Sequence, residues 1–524
     1  MTSSERDCIV IGGGHNGLVC AAMLAKAGRK VLLLEAEGET GGGARSHEFA
    51  PGFRVSSLAH VLNRLHPVVI KALELERHGL KLATADEMPS VALSAAGSPL
   101  ILSGAYGETL QGATEAQAAA WAALRAQLLR YAGILKPMLA RRPPSLAGAM
   151  SLSETSALAM TGLSLKRLGK EDMRDFLRVL LMNVADFLDE QIEDDRLKGL
   201  LAFDATLGSH LGPRSPTSLL GLYYRLTGEI AGHAGGQVVP QGGMGAVTSA
   251  MRAAAEHAGV TIRTGADAAR ITVEGGRAIG VTLSSGEEIR AERIVSAINP
   301  RTTFLDLVGP RHLDTGFVRA VSHIRMKGDA AKLHLALDRV PQFAGLTPEH
   351  HRGRLVLAPS TDHVKRAFNP AKYGEFSTQP VMEITLPSLT DPTSAPAGAC
   401  VLSAVVQYAP YALKEGWDAG KPKFLTAVLA MLEAHAPGIG KTIRHAELLT
   451  PIDIAQKFRI PGGHWHHGEL QADQMLMSRP VFGAEGYDTP VDGLFLAGAG
   501  SHPGGGISGA PGFNAAQRIL GMKG

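Results

Sequence analysis

DCIVIGGGHNGLVCAAMLAKAGRKVLLLEAE, residues 7–37, decides how the rest of the chain is read. Asp7–Ile11 is a short apolar run rich in Ile and Val, the composition of a buried strand. Gly12, Gly14 and Gly17 follow with G-x-G-x-x-G spacing, and an Ala-rich helical segment then runs to Ala27. Gly28 stops that helix, and Lys30–Leu34 reads as a second strand delivering Glu35 at its tip. Gly12 lets the chain turn sharply out of the strand, Gly14 lets backbone N–H groups approach a pyrophosphate, and Gly17 lets the helix lie close to the sheet. The helix N-terminus turns free N–H groups and the positive end of its dipole toward the phosphates. Glu35 is placed to accept hydrogen bonds from ribose hydroxyls. The spacing alone also occurs in Gly-rich turns that bind nothing. Strand, helix and terminal acid together specify a dinucleotide site.

The bulk composition bounds what surrounds this unit. At about 150 residues per domain, 524 residues make two to four domain-sized units. A hydrophobic content of 45% against 19% charged residues is that of a globular protein with a large core. A formal charge of +3 without a long basic block gives no nucleic-acid signature. The three cysteines, Cys8, Cys20 and Cys400, make no C-x-x-C pair and no metal cluster, so thiol–disulfide chemistry is not expected. The first strand starts almost at the N-terminus and no apolar run reaches the ~18 residues of a membrane span, so the expectation is a cytoplasmic protein.

Beyond Glu35, Gly41–Gly43 form a second Gly cluster, read as a second loop lining a bulky cofactor. His60 sits in an apolar stretch and reads as a satisfied core histidine. With a dinucleotide motif and a GG pair just after the second strand, the chain resembles the flavoproteins related to phytoene desaturase, amine oxidase and GDP-dissociation inhibitor. Amine oxidases of that group carry a basic residue two places after the strand-end acid and an Arg directly after the GG. Here those places hold Glu37 and Gly43, which argues against an amine oxidase proper and leaves Arg45 as the phosphate neighbour.

Residues 80–110 hold short alternating runs that read as strands of a different sheet. From Glu115 to about Gly228 the pattern is helical. AQAAAWAALRAQLLRYAGILKPMLARR (116–142) has apolar residues at helical spacing with Arg125, Arg130, Lys136, Arg141 and Arg142 interleaved. That pattern suits a core-facing helix with a solvated basic face, and it leaves peripheral contact with a membrane surface as the second reading. MRDFLRVLLMNVADFLDEQI (173–192) reads as one further helix, and the helical insertion as a lid or wall over a substrate cavity.

The chain then returns to the nucleotide unit. Gly242, Gly243 and Gly245 open a helix to about His257, a strand follows at Val260–Thr264, and Val295–Asn299 reads as a separate strand after a meander with a turn at Gly286. Alternating runs between 311 and 450 supply a mixed or antiparallel sheet. FRIPGGHWHHGELQADQMLMSRP concentrates His464, Trp465, His466, His467, Glu469 and Asp473, but adjacent histidines diverge on most backbones and no zinc spacing is met. The run GG-x-x-x-HGEL-x-x-DQ at 462–474, with Pro51-Gly52-Phe53 and PS-x-x-DP at 387–392, is similar to a phytoene-dehydrogenase-like subfamily whose customary name, pyridine nucleotide–disulphide oxidoreductase domain-containing, misleads here because the cysteine pair is absent. The last stretch gives a strand at Gly493–Ala497, a Gly-rich turn and a helix near Pro511 that returns to the cofactor.

The resemblance implies an α/β fold: a Rossmann-type FAD-binding domain of the glutathione-reductase kind (1–80, 230–310 and 480–524), interleaved with a mixed-sheet and helical substrate domain (81–229 and 311–479). It implies non-covalent FAD held at Gly12, Gly13, Gly14, Asn16 and Gly17, at Glu35 and Ala36, and at Gly42, Gly43 and Arg45. Ala268 under the adenine and Gly498, Gly505 and Gly506 at the C-terminal turn complete the set. No second strand–GxGxxG–helix unit follows, so one dinucleotide serves a cavity for an organic substrate. The expected activity is hydride transfer between a hydrophobic, isoprenoid-like molecule and FAD, with His464, His466, His467 and Glu469 as candidates for any acid or base. A flavin amine oxidase is the alternative of the same class. A non-catalytic lipid- or prenyl-binding protein is the alternative of another class.

Overall fold

The computed structural model describes residues 6–82, 88–139, 141–144, 152–230 and 232–521, apart from the side chains of 152–154 and 157. Its strands form two large sheets. The first is centred on Arg6–Ile11, which pairs in parallel with Val31–Leu34 on one side and with Glu288–Ser296 on the other. Thr261–Arg263 extends the parallel array beyond Val31–Leu34, and Leu494–Leu496 extends it beyond residues 294–296. Ile9, Val10, Leu33, Ile294 and Val295 are fully or almost fully buried, as strands covered on both faces must be.

Val295–Asn299 is not a separate strand. Glu288–Ser296 runs unbroken, its first half antiparallel to Arg277–Leu283 around the Gly286 turn and its second half parallel to the first strand. The alternation of charged and apolar residues in its first half records one exposed face, and the apolar end records burial on both faces.

The first helix, His15–Lys26, packs against the helices Gly243–His257 and Ala510–Leu520 through Leu18, Val19, Met251, Ala515 and Ile519. Its approach to the strand is set by Gly17. A Cβ there would stand 1.9 Å from the Gly12 carbonyl oxygen. Gly12 itself has φ +99°, a conformation side chains avoid.

The second sheet has eight strands, in the order Ile443–Leu449, Ala330–Leu337, Cys400–Gln407, Val381–Thr385, Arg354–Leu357, Ser90–Ala92, Leu100–Ser103 and Thr109–Gln111. All pair antiparallel except Arg354–Leu357 with Ser90–Ala92. Leu333, Leu335, Leu355, Ile384 and Leu402 share a core with the helix Trp417–His435. Val356, Glu383, Val405 and Lys332 are register partners on the opposite face, which looks toward the nucleotide unit.

Helices between Glu115 and Leu226 pack at the far end of this sheet through Trp121, Leu128, Phe187, Phe203 and Tyr223. Residues 173–192 are two helices rather than one. Lys170–Val179 ends, and Asn183 caps Val184–Gln191 by accepting the Asp186 N–H. In Glu115–Leu139 the basic residues are engaged internally: Arg125 donates to the Ala105 carbonyl, Arg130 pairs with Asp172 and Lys136 with Glu229. Trp121, Leu124, Leu128 and Tyr131 of the same helix are buried. No described helix is long and apolar enough to cross a membrane.

Replacing Gly17 by Val should cost about 1–3 kcal/mol through forced separation of helix and strand. A lowered melting temperature and loss of copurifying flavin are the expected results. Unchanged stability and full flavin content would show that the contact is not limiting.

Candidate active site

A cavity of about 580 Å³ runs from the loop after the first strand to the inner face of the eight-stranded sheet. At one end Gly12, Gly14 and Asn16 line it with Glu35, Ala36 and Ala268. A Cβ on Gly14 meets nothing within 4 Å, so the loop backbone faces open cavity. Gly14 is also the N-cap of the first helix and offers no side chain to its N–H groups, leaving them for an anion. Glu35 accepts the Gly13 N–H at 2.7 Å and the Glu37 N–H at 2.9 Å, one on each oxygen, and keeps lone pairs for further donors.

Gly42, Gly43 and Arg45 form the adjoining wall. Arg45 lies 3.7 Å from Glu39 and 5.1 Å from the Phe458 ring centroid. Gly505 and Gly506 close the site from the C-terminal turn. Ahead of the final helix, Gly509 is again an N-cap without a capping side chain. These features fit FAD: an uncapped helix end for the pyrophosphate, a carboxylate for the ribose, and glycines where a side chain would fill the space.

Three expected contacts lie outside the cavity lining. Gly13 and Gly17 shape the loop from behind, and a Cβ on Gly498 would stand 2.6 Å from the Ala297 carbonyl oxygen, which makes it a packing glycine. Ala499, one residue on, reaches the cavity instead.

The histidine-rich segment is divided in the same way. His466 and His467 line the cavity, while His464 and Glu469 pair behind it at 3.3 Å. Burial opposes the charge on Glu469, but His464 and the His210 N–H outweigh it and hold the carboxyl below its usual range. His466 Nε2 accepts from the Trp465 indole at 3.1 Å, which leaves the imidazole proton on Nδ1. Burial, reinforced by neighbouring positive groups, pushes His466 well down and His467 down to about 3. Both rings are neutral at physiological pH.

A polar cluster at the other end was not legible as a site. His60 lines the cavity and bonds Glu383 at 3.0 Å, with Ser403 and Thr385 each 3.3 Å from its other nitrogen. Arg354, fully buried, bridges Glu383 and Asp204. Tyr106 donates to Asp204 at 3.0 Å, and Arg225 approaches the same carboxylate at 3.4 Å. Burial works against the Glu383 charge, and Arg354 and His60 overcome it, holding that acid well below its ordinary value. The available signal was the charge interrupting each apolar run: Glu383 in VMEITL, Arg354 in GRLVL and Asp204 in LLAFDAT.

Arg354→Met should destabilise the protein by about 3–5 kcal/mol, because two buried carboxylates lose their counter-charge. Denaturant unfolding measures this, and a cost near zero would mean the acids protonate without penalty. Stability should also fall as the pH drops below about 6.5. Burial holds His15, His60 and His502 down to about 4 and His467 down to about 3, while the unfolded chain takes up those protons near 6.5. Their contribution is complete above the unfolded value and is lost as the pH falls through the folded ones. A melting temperature flat from pH 7 to 4 would contradict this.

Comparison with known proteins agrees with this geometry. Residues 17–520 match the family of flavin-containing amine oxidoreductases. The pyridine nucleotide-disulfide oxidoreductase domain-containing protein 2 of Mus musculus is 35% identical, over 98% of this chain and 93% of its own. A neurosporene-forming phytoene desaturase of Cereibacter sphaeroides is 29% identical over 62% of this chain and 60% of its own. The structure of an oxidoreductase from Methanosarcina mazei shares the fold with a TM-score of 0.60, at 17% identity over 98% of this chain and all (100%) of that one. The chain belongs to the flavin-containing amine oxidoreductase family, and it is an FAD-dependent oxidoreductase of the superfamily that joins amine oxidases to phytoene desaturases.

Proposed function

We propose that this enzyme oxidises or reduces a hydrophobic organic substrate, of isoprenoid or polyene type, by hydride exchange with FAD. The observation that carries the reading is the continuity of one cavity from the cofactor loops to a wall built from Leu58, Leu207, Val405, Trp465 and Leu470. Similarity to a phytoene desaturase supports it. When bound, FAD supplies the hydride acceptor or donor, and the protein supplies the placing of the substrate. The apolar wall excludes water and selects a chain-like molecule. His466 and His467 are on the cavity surface, and because burial and positive neighbours disfavour their charged forms, their role is to hydrogen-bond and position a substrate rather than to store a proton. His464 and Glu469, paired behind them, keep that segment in place.

A flavin amine oxidase is the second reading, favoured by the family's own description. Against it stands Gly43, where amine oxidases of this group carry Arg. A Cβ at Gly43 would lie 3.0 Å from Leu58 Cδ1, so a larger side chain has to displace the wall. Glu37, at the place of the usual basic residue, is paired with Arg459 at 3.2 Å.

Under anaerobic conditions a substrate from an isoprenoid and polyene panel should either bleach the FAD-loaded enzyme or restore the colour of the chemically reduced enzyme, and primary amines should do neither. Bleaching by amines alone would replace the first reading with the second.

A further inference from the structure

Positive charge is in excess where the cavity meets the C-terminal turn, with Arg64 packed against Gly506. Arg64 lines the cavity with its guanidinium carbon 3.4 Å from the centroid of the Tyr224 ring. Tyr224 is itself fixed, because its hydroxyl donates to the Gly505 carbonyl at 2.7 Å. Among described residues the guanidinium makes one hydrogen bond, from Nη2 to Thr227 Oγ1 at 3.5 Å, and Nε is buried without a partner. No described carboxylate comes within ion-pair distance of it; the groups that act on its charge are Tyr224 and Arg225.

The neighbouring charges are already matched to one another. Arg225 is answered by Asp204 at 3.4 Å, and Arg354 by Asp204 and Glu383. Among the described residues three guanidinium groups therefore share two carboxylates; Arg64 and Arg225 both line the cavity, and Arg64 is the one left without an acid. Lys332, buried beside Glu383 with no partner for Nζ, is pushed well down by burial. A pure hydrocarbon bound here would strip water from Arg64 and return nothing, an arrangement proteins avoid. A carboxylate would restore the balance, and the planar guanidinium, held against the Tyr224 ring, is the group suited to its two oxygens.

We propose that Arg64 is an anion receptor, and that the substrate is amphipathic: an apolar chain against the Leu58–Val405 wall, ending in a carboxylate held by Arg64. This rests on the reading of the cavity as a hydrophobic-substrate site and narrows it. The flavin is the other source of negative charge in the cavity, so the test separates the two.

Farnesoic acid, farnesol and farnesene are titrated into the FAD-loaded enzyme, and binding is followed by perturbation of the flavin absorbance. The acid should bind at least tenfold more tightly than the alcohol. Arg64→Gln should abolish the preference with FAD content unchanged, and Arg64→Lys should restore part of it. Equal binding of acid and alcohol overturns the receptor and leaves the hydrophobic-substrate reading standing. No binding of any of the three removes both. Loss of FAD from Arg64→Gln assigns the charge to the cofactor and overturns the proposal. The ratio in the unmodified enzyme decides the matter even if a variant does not fold.

Discussion

The contact between Gly17 and the Gly12 carbonyl sets the geometry on which the cofactor site depends. With no Cβ between them, the first helix begins directly above the first strand, and its uncapped N–H groups open into the cavity. Gly512 repeats the device on the other side of that helix, since a Cβ there would stand 2.0 Å from the Asn16 carbonyl oxygen. The helix is thus held between strand and C-terminal helix by two positions where only hydrogen fits. The residues at both ends of the chain reach the cavity because of this packing.

The second organising feature is electrostatic. Arg354, Glu383 and Asp204 join the sheet to the helix Asp195–Thr206 through charges that are fully or almost fully buried. Such a network adds little to stability relative to apolar packing, but it penalises any displacement of one layer against the other, because separation would strand a charge. It also gives the cavity a polar end facing an apolar wall.

Local patterns explain which parts were legible in the order of residues. The opening unit was readable because each step needs a particular residue type at a fixed spacing: apolar strand, Gly turn, Ala-rich helix and acid. Its boundaries moved by only a residue or two in the structure. The helix at 173–192 was misread because apolar periodicity continues across Asn183, and only the cap geometry shows the break. Gly498 was placed at the cofactor by its Gly-rich surroundings, yet it serves close backbone packing against Ala297, and Gly runs look alike in both uses.

The sequence by itself determined the α/β class, the dinucleotide loop and its terminal acid, because these follow from backbone sterics and hydrogen bonding within some thirty neighbouring residues. Only the tertiary structure decided which of four candidate acid–base groups reach the cavity, turning His466 and His467 inward and leaving His464 and Glu469 behind them. It alone brought together His60, Asp204, Arg354 and Glu383, and left Arg64 beside them without a counter-charge among the described residues. Charge balance in a buried site is a sum over residues distant in the chain, and no local pattern carries it.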